Sequence, residues 1–582
     1  MCGIFGCTAN RKAYPIVVEG LSYLEYRGYD SAGIAVADAG EIRVKKGVGK
    51  VKAVLMPFNS VVMPGTAAIG HVRWASHGSV TEANAHPFLS CDSRVAVAHN
   101  GLITNHAELR AALTEQGHTF SSGTDSEVIA HLIEAAYTKT MDPLYATRAA
   151  FVQIEGDNAF VALFSVAGVL TGARRGLPLV IGMGANSIFV SSDVLGFLKW
   201  TDRAVFVNDG CSFMATKYGV KIVDPHGVTV LGAPVQLPWE FAEAGLHGYR
   251  HHTLKEIEEQ PAVLAKIAAR PTSDYVEAGQ LIDNALNVIL VGAGSSYHAA
   301  LFFRNLLNQK YGARFYAFPS GEFRYMNSNL GPNDAVIAFS QSGETADTLD
   351  AVRAAKKKGT KILSFVNVPG STLVRESDVV VDMKCGPEIG VAATKSFTAS
   401  LYSAARTIET ITSARTAGLI ENDVNTLLQT DVSYALKAIA GHNDVYMIGS
   451  GFGHPLALEG ALKMKELALV HAEGLVSSEF KHGPLAVVRD GTPVLCIDSG
   501  GESHTEVVTA AEALKARGAN LIGITNTPDQ VYDAVVHLPS QDDVCGAIEA
   551  AVPLQRIAYE LALRLKVNPD YPRNLAKSVT VR

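Results

Sequence analysis

The chain has 582 residues, 48% of them hydrophobic and 18% charged, enough for three or four domains with sizeable cores. A formal net charge of -7 and a pI near 6.2 leave no basic surface for nucleic acid. No apolar run is long enough to span a bilayer, and no basic, then apolar, leader opens the chain, so the expectation is a cytoplasmic enzyme acting on small molecules.

The first element carries the most specific signal. In Met1-Cys2-Gly3-Ile4-Phe5-Gly6 a cysteine precedes a short apolar strand. Removal of Met1 would give Cys2 two functions, a thiol nucleophile and an α-amino general base whose ordinary pKa is about 7.7–8.0. With Cys7, Cys91, Cys211, Cys385, Cys496 and Cys545 the cysteines total seven, an odd number without CxxC pairs or zinc-ligand spacing, and they read as reduced thiols.

Up to about residue 240, short β-branched runs at 40–44, 95–98 and 187–190 alternate with helical patterns at 13–24 and 126–137. The polar clusters between them carry the chemistry. Within 70–78, Arg73, Trp74, Ser76 and His77 place a guanidinium beside an indole and a hydroxyl, a combination suited to gripping and covering a small carboxylate. Asn100 and Gly101 follow the strand at 95–98 and can aim a side-chain amide and a backbone N–H at a developing oxyanion. Two readings fit Thr124-Asp125-Ser126-Glu127: a carboxylate for an ammonium group, or an N-cap. In this order behind Cys2, the clusters resemble the N-terminal-nucleophile glutamine amidotransferase domain. The resemblance implies an αββα sandwich of Ntn hydrolase type over 1–240, with Cys2 as nucleophile and Asn100 and Gly101 as oxyanion hole. Arg73 and Asp125 would hold glutamine, Trp74 would gate an ammonia path, and Arg27, Ser76, His77 and His86 would shape the pocket. Ser76 stands where threonine is more usual.

Residues 241–280 change character and read as a linker and helical connection. Beyond them the chain repeats: Val291-Gly292-Ala293-Gly294 recurs as Ile448-Gly449-Ser450-Gly451 at an offset of 157, with two further landmarks at 158 and 159. Each copy runs strand, Gly-rich turn, helix, strand, the pattern of a doubly wound parallel sheet; the copies are placed at 281–420 and 430–565. In the first, Ser340-Gln341-Ser342-Gly343-Glu344-Thr345 suits a phosphate at a helix N-terminus or, alternatively, a Ser/Thr cap. The second has a carboxylate there and fewer hydroxyls.

The two copies resemble tandem sugar-isomerase (SIS) domains. That resemblance implies sugar-phosphate contacts from Ser296, Ser340, Gln341, Ser342, Thr345 and Val391. Glu459, Lys463 and Glu466 fall on one helical face, as solvated ion pairs do, but in an apolar setting beside His482. Aldose–ketose isomerisation needs a carboxylate to move a proton between C1 and C2 and a second group for ring opening, roles open to Glu466 and His482. The tail at 566–582 then extends the resemblance, nearly end to end, to the isomerising glutamine–fructose-6-phosphate transaminases. It implies a sugar site completed by Ala576 and Lys577, with Lys577 forming a Schiff base to the open ketose and Glu459 and Lys463 lining the site. It further implies fructose 6-phosphate and glutamine as substrates, glucosamine 6-phosphate and glutamate as products, and a first step toward UDP-N-acetylglucosamine. No metal or organic cofactor, no nucleic acid and no membrane are implied, and a homodimer is the expected assembly. Arg582 replaces the usual terminal glutamate.

Overall fold

The computed structural model describes all residues except Met1, 58–62, 75–77, 167, 231, 313, 327–328, 413–417, 419 and 580–582. The chain forms two compact units, one comprising residues up to Gly245 together with the tail from Ala576, the other Leu246–Leu575.

In the first unit two antiparallel sheets face each other. The strand Gly3–Ala9 is interior to the eight-stranded sheet, between Ala67–Arg73 and Ser187–Ser191. The seven-stranded sheet includes Val95–Gly101, Asn158–Phe164 and Leu170–Arg175 as neighbours. Period-two alternation builds the layers. Ala96, Ala98, Val161 and Leu163 meet Ile4, Ile69 and Val190 between the sheets. Val95, Val97, Phe160 and Phe164 point the other way, onto helices Val128–Thr140 and Pro143–Gln153. Helix Ala13–Tyr23 covers the first sheet. It lies so close that a Cβ at Gly20 would come within 2.6 Å of the Phe5 ring. Each sheet thus buries both faces, which yields the αββα sandwich.

The second unit holds two five-stranded parallel sheets with the same strand order, the first strand of each copy flanked by the second and the third. They run Phe315–Pro319, Val288–Gly292, Ala335–Ser340, Lys361–Val366, Val379–Asp382, and His471–Val476, Asp444–Gly449, Pro493–Asp498, Asn520–Thr525, Ala534–His537. Alternate residues serve two cores, so the strands are apolar throughout, as parallel sheets covered on both faces require. Leu290, Ile337 and Leu363 join Met447, Leu495 and Ile522 in one continuous core, while Val291, Val336 and Ile362 fill another and Ile448, Val494 and Leu521 a third. The region read as a connection holds helices His252–Glu258, Gln260–Ala268 and Val276–Asn284, the last two of which join that shared core through Leu264, Ile267 and Ile282. Asp570 accepts hydrogen bonds from the backbone N–H groups of His252 and Thr253, satisfying two open donors at the start of the first of these helices.

Candidate active site

In the first unit the geometry converges on Cys2. Its thiol donates to the carbonyl of Trp74 and accepts from the Trp74 N–H, both at 3.4 Å. The Cys2 carbonyl accepts from Asn100 Nδ2 at 3.1 Å and Arg27 Nε at 3.2 Å. Arg27 is itself held by Asp193 at 3.1 Å. Gly28 makes this approach possible, because a Cβ there would lie 2.6 Å from the backbone of Arg73 and Trp74. Gly101, with φ of 132°, could not be another residue without strain, and its Cβ would meet the Asp157 carbonyl at 2.2 Å.

Buried histidines set the orientation of the strand that carries Asn100 and Gly101. Burial, with Arg73 adding to it, holds His71 down to about 3 although its hydrogen bond to Asn100 opposes the shift. A neutral His71 then donates from Nε2 to Asn100 Oδ1 at 3.0 Å, which turns the Asn100 amide N–H groups toward Cys2. His86 stacks on His71 with centroids 4.1 Å apart, and its Nδ1 accepts the His99 N–H at 3.2 Å. His99 links Ser126 and Asn158, each at 2.8 Å.

Asp125 is no helix cap. Its Oδ2 accepts the Ile103 N–H at 2.9 Å, and the helix beyond starts at Val128 behind Glu127, without a side-chain cap. The carboxylate is therefore fixed beside the chain that leaves Asn100 and Gly101. The Arg73 guanidinium donates to the carbonyls of Gly78 and Ser79. Ser76, His77 and Arg582 lie outside the described residues.

In the second unit the sugar-phosphate candidates lie at the carboxyl ends of two adjacent strands, where the strand order reverses, the usual ligand position in open α/β sheets. After Val288–Gly292, the turn through Gly294 opens helix Ser295–Tyr311, so Ser296 sits in its first turn. After Ala335–Ser340, the Ser340 and Ser342 hydroxyls accept the N–H groups of Gly343 and Glu344, while Thr345 precedes helix Ala346–Lys356 without capping it. Gln341 is half-buried in the same loop. Val391 is buried in a loop pinned by the Glu256 carboxylate, which accepts from the Ile389 and Gly390 N–H groups.

The second copy places Asp498 where the first has Ser340. This carboxylate is fully buried and engaged by the Gly500 N–H, His504, Thr525 and Tyr532. A second phosphate loop is thereby excluded, since a bound anion would face a buried negative charge.

Glu459, Lys463 and Glu466 do come together, though not as consecutive turns of one α-helix. The α-helix Gly453–Lys463 passes into a π-helical segment, Met464–Ala468, which carries Glu466 and ends at Leu469 in the left-handed region. Lys463, fully buried, pairs with Glu459 at 3.3 Å and with Glu466. Burial opposes a charge on Lys463, but the two carboxylates outweigh it and raise the ammonium above its ordinary value. Glu459 also accepts from Ser295 at 2.9 Å and pairs with His298 at 2.8 Å, so the first copy's helix completes the second copy's ion cluster. His482 is exposed in the short turn Glu479–His482 and, among the described residues, makes no hydrogen bond or ion pair with Glu466. Ala576 and Lys577 are half-buried in the tail.

Sequence reasoning passed over His71, His99, Asp193, Ser295 and His298. The histidines had a legible signal, adjacent to or inside clusters already singled out. Asp193 had none, being 166 residues from Arg27.

A family model described as a glutamine amidotransferase domain matches residues 71–199, and the SIS domain model matches residues 281–408 and 438–565. The chain is 40% identical over 602 residues to a glutamine–fructose-6-phosphate aminotransferase (isomerizing) from Pyrococcus horikoshii, covering 100% of both chains. A protein of the same name from Thermus thermophilus is 36% identical over 605 residues, again with 100% of both covered. Among solved structures, the C-terminal domain of glucosamine-fructose-6-phosphate aminotransferase from Francisella tularensis covers 56% of this chain and 99% of its own, at 29% identity and a TM-score of 0.51. An N-terminal cysteine site in a two-sheet sandwich, two unequal SIS copies and similarity along the whole length together mean that the chain belongs to the glutamine–fructose-6-phosphate aminotransferase (isomerizing) family.

Proposed function

We propose that the chain converts fructose 6-phosphate and glutamine to glucosamine 6-phosphate and glutamate. The observation that carries this reading is the full-length correspondence with relatives of that name, across both the cysteine-bearing unit and the paired SIS copies.

In the glutaminase half, the Cys2 sulfur attacks the side-chain amide carbon of glutamine, and Asn100 Nδ2 and the Gly101 N–H stabilise the oxyanion. The free α-amino group of Cys2 takes the thiol proton and passes it to the leaving nitrogen. Ammonia departs, and water hydrolyses the thioester to glutamate. Arg73 and Asp125, with Ser76, His77, His86 and Arg27 around them, hold the glutamine backbone charges, and Trp74 guards the ammonia.

In the isomerase half, Ser296, Ser340, Gln341, Ser342 and Thr345 bind the phosphate, with Val391 along the sugar. His482 assists ring opening, donated across a homodimer. Lys577 condenses with the C2 ketone and loses water; ammonia then displaces the lysine to leave a C2 imine. Glu466 removes a proton from C1 and returns one to C2 while the O1 hydroxyl loses its proton and the imine nitrogen gains one, which yields the 2-amino aldose. Lys463 and Glu459 hold Glu466 in place, and Ala576 positions the tail. A cytoplasmic location belongs to the same reading; no helix among the described residues is long and apolar enough to cross a membrane.

The test is a coupled assay that scores glutamate and amino sugar together. Equal yields from glutamine and fructose 6-phosphate are expected, with a borohydride-reduced sugar adduct at Lys577. Glutamate alone, with no adduct and no amino sugar, would overturn the proposal.

A further inference from the structure

We propose that Cys91, His118, His131 and Glu134 form a structural site for a tetrahedral divalent cation of zinc type. The four side chains come from three segments of the first unit. Cys91 lies in the turn between strands Phe88–Leu89 and Val95–Gly101, and His118 follows helix His106–Glu115. His131 and Glu134 stand one turn apart on helix Val128–Thr140.

One donor atom from each residue lies within 4.8 Å of all the others. Cys91 Sγ is 3.5 Å from His131 Nδ1 and 3.8 Å from His118 Nδ1. Glu134 Oε2 is 2.9 Å from His118 Nδ1 and 3.3 Å from His131 Nδ1. Tetrahedral zinc, with Zn–S near 2.3 Å and Zn–N or Zn–O near 2.0–2.2 Å, requires donor separations of roughly 3.5 Å for S···N and roughly 3.3 Å for N···O. The observed edges bracket those lengths, so a cation can replace the shared protons with small shifts.

The surroundings favour a cation as well. His131 Nε2, buried and without a hydrogen-bond partner, faces the Glu127 carboxylate at 3.8 Å. A carboxylate behind a metal-bound imidazole is the usual orienting arrangement. The Cys91 and Asp92 N–H groups donate to Glu134, which fixes the turn for a ligand on its exposed side. One thiolate, two imidazoles and one carboxylate select zinc over calcium or magnesium, which prefer oxygen.

The site would act as a brace. It clips the turn leading into the Asn100 strand to the helix that follows Asp125, and among the described residues it makes no hydrogen bond or ion pair with Cys2, Arg27, Arg73, His86 or Asp125.

The experiment uses the full-length chain carrying Cys2→Ala, which removes the competing nucleophilic thiol. Zinc content after purification and Co²⁺ titration are measured for this protein and for the same chain with Cys91→Ser added. One equivalent of metal and the visible spectrum of a tetrahedral thiolate–cobalt centre are expected, both lost with Cys91→Ser. Glu127→Gln should weaken the metal about 10–100-fold. Should Cys91→Ser fail to fold, alkylation of Cys91 in the unaltered chain serves instead, with Zn²⁺ expected to slow it at least about tenfold at one equivalent. A folded chain that takes up neither metal, a thiolate–cobalt spectrum that survives Cys91→Ser, or alkylation indifferent to Zn²⁺ would leave a hydrogen-bonded network and no metal site.

Discussion

Asn100 shows how one side chain's role depends on its neighbour. Because His71 takes the Oδ1 atom, the amide protons face Cys2, and removal of that donor with Asn100→Ala should lower kcat for glutamine hydrolysis about 10²–10³-fold with little change in KM. Steady-state glutaminase kinetics check this, and a loss confined to KM would contradict it. Glu466 and Glu459 offer a paired contrast. Glu466→Gln keeps the shape and removes the base, so exchange of the C1/C2 hydrogen with deuterated water should fall roughly 10²–10⁴-fold while glutaminase turnover persists. Glu459→Gln would leave the buried Lys463 with one carboxylate fewer, and about 3–5 kcal/mol of stability is at stake when a buried pair loses one partner. Thermal unfolding ranks the two: each variant takes a carboxylate from Lys463, but Glu459 is the more deeply buried partner, so Glu459→Gln should melt earlier than Glu466→Gln.

At the scale of elements, the two SIS copies share a strand order and differ in one loop. With Asp498 buried where Ser340 opens a loop, titration calorimetry should find one phosphosugar bound per chain, not two. The duplication was legible from two glycine-marked turns and one strand end closed by asparagine, because turn chemistry is local and survives in sequence. The stretch 241–280 was read as a connection because acidic residues and a histidine cluster stand there without β alternation, and only the docking of helices Gln260–Ala268 and Val276–Asn284 on helix Lys395–Thr412 shows these two to be core. The cluster at Cys91 was illegible for a related reason: donors separated by 27 and 13 residues match no ligand spacing until the chain folds. The π-helical turn at Met464–Ala468 was equally hidden, since the i, i+4, i+7 pattern presumes a regular α-helix. Helix Asp543–Arg564 supplies a pH dependence. Burial, with Asp423 and Asp542 nearby, raises Glu549 from 4.5 to about 7. A carboxyl group raised on folding stabilises the folded state while it stays protonated. Stability should therefore fall as pH rises from about 4.5 to about 7, then level off, and Glu549→Gln should flatten that slope in urea unfolding.

On the scale of the molecule, the units differ in how far apart in sequence their neighbouring strands lie. In the parallel sheets successive strands pair through short crossovers, whereas Gly3–Ala9 is flanked by Ala67–Arg73 and Ser187–Ser191. The Ile4 N–H reaches Ser192 across 188 residues. Cys2 thus rides on a strand whose seat exists only after distant partners have closed around it, and such long-range pairing is slow. Reactivity at Cys2 should then act as a clock for folding. When the denatured chain is diluted into buffer, glutaminase activity should appear after most of the secondary structure. A thiol that leads every later reaction would be among the last groups to reach its place, which spares the half-folded chain a competent nucleophile.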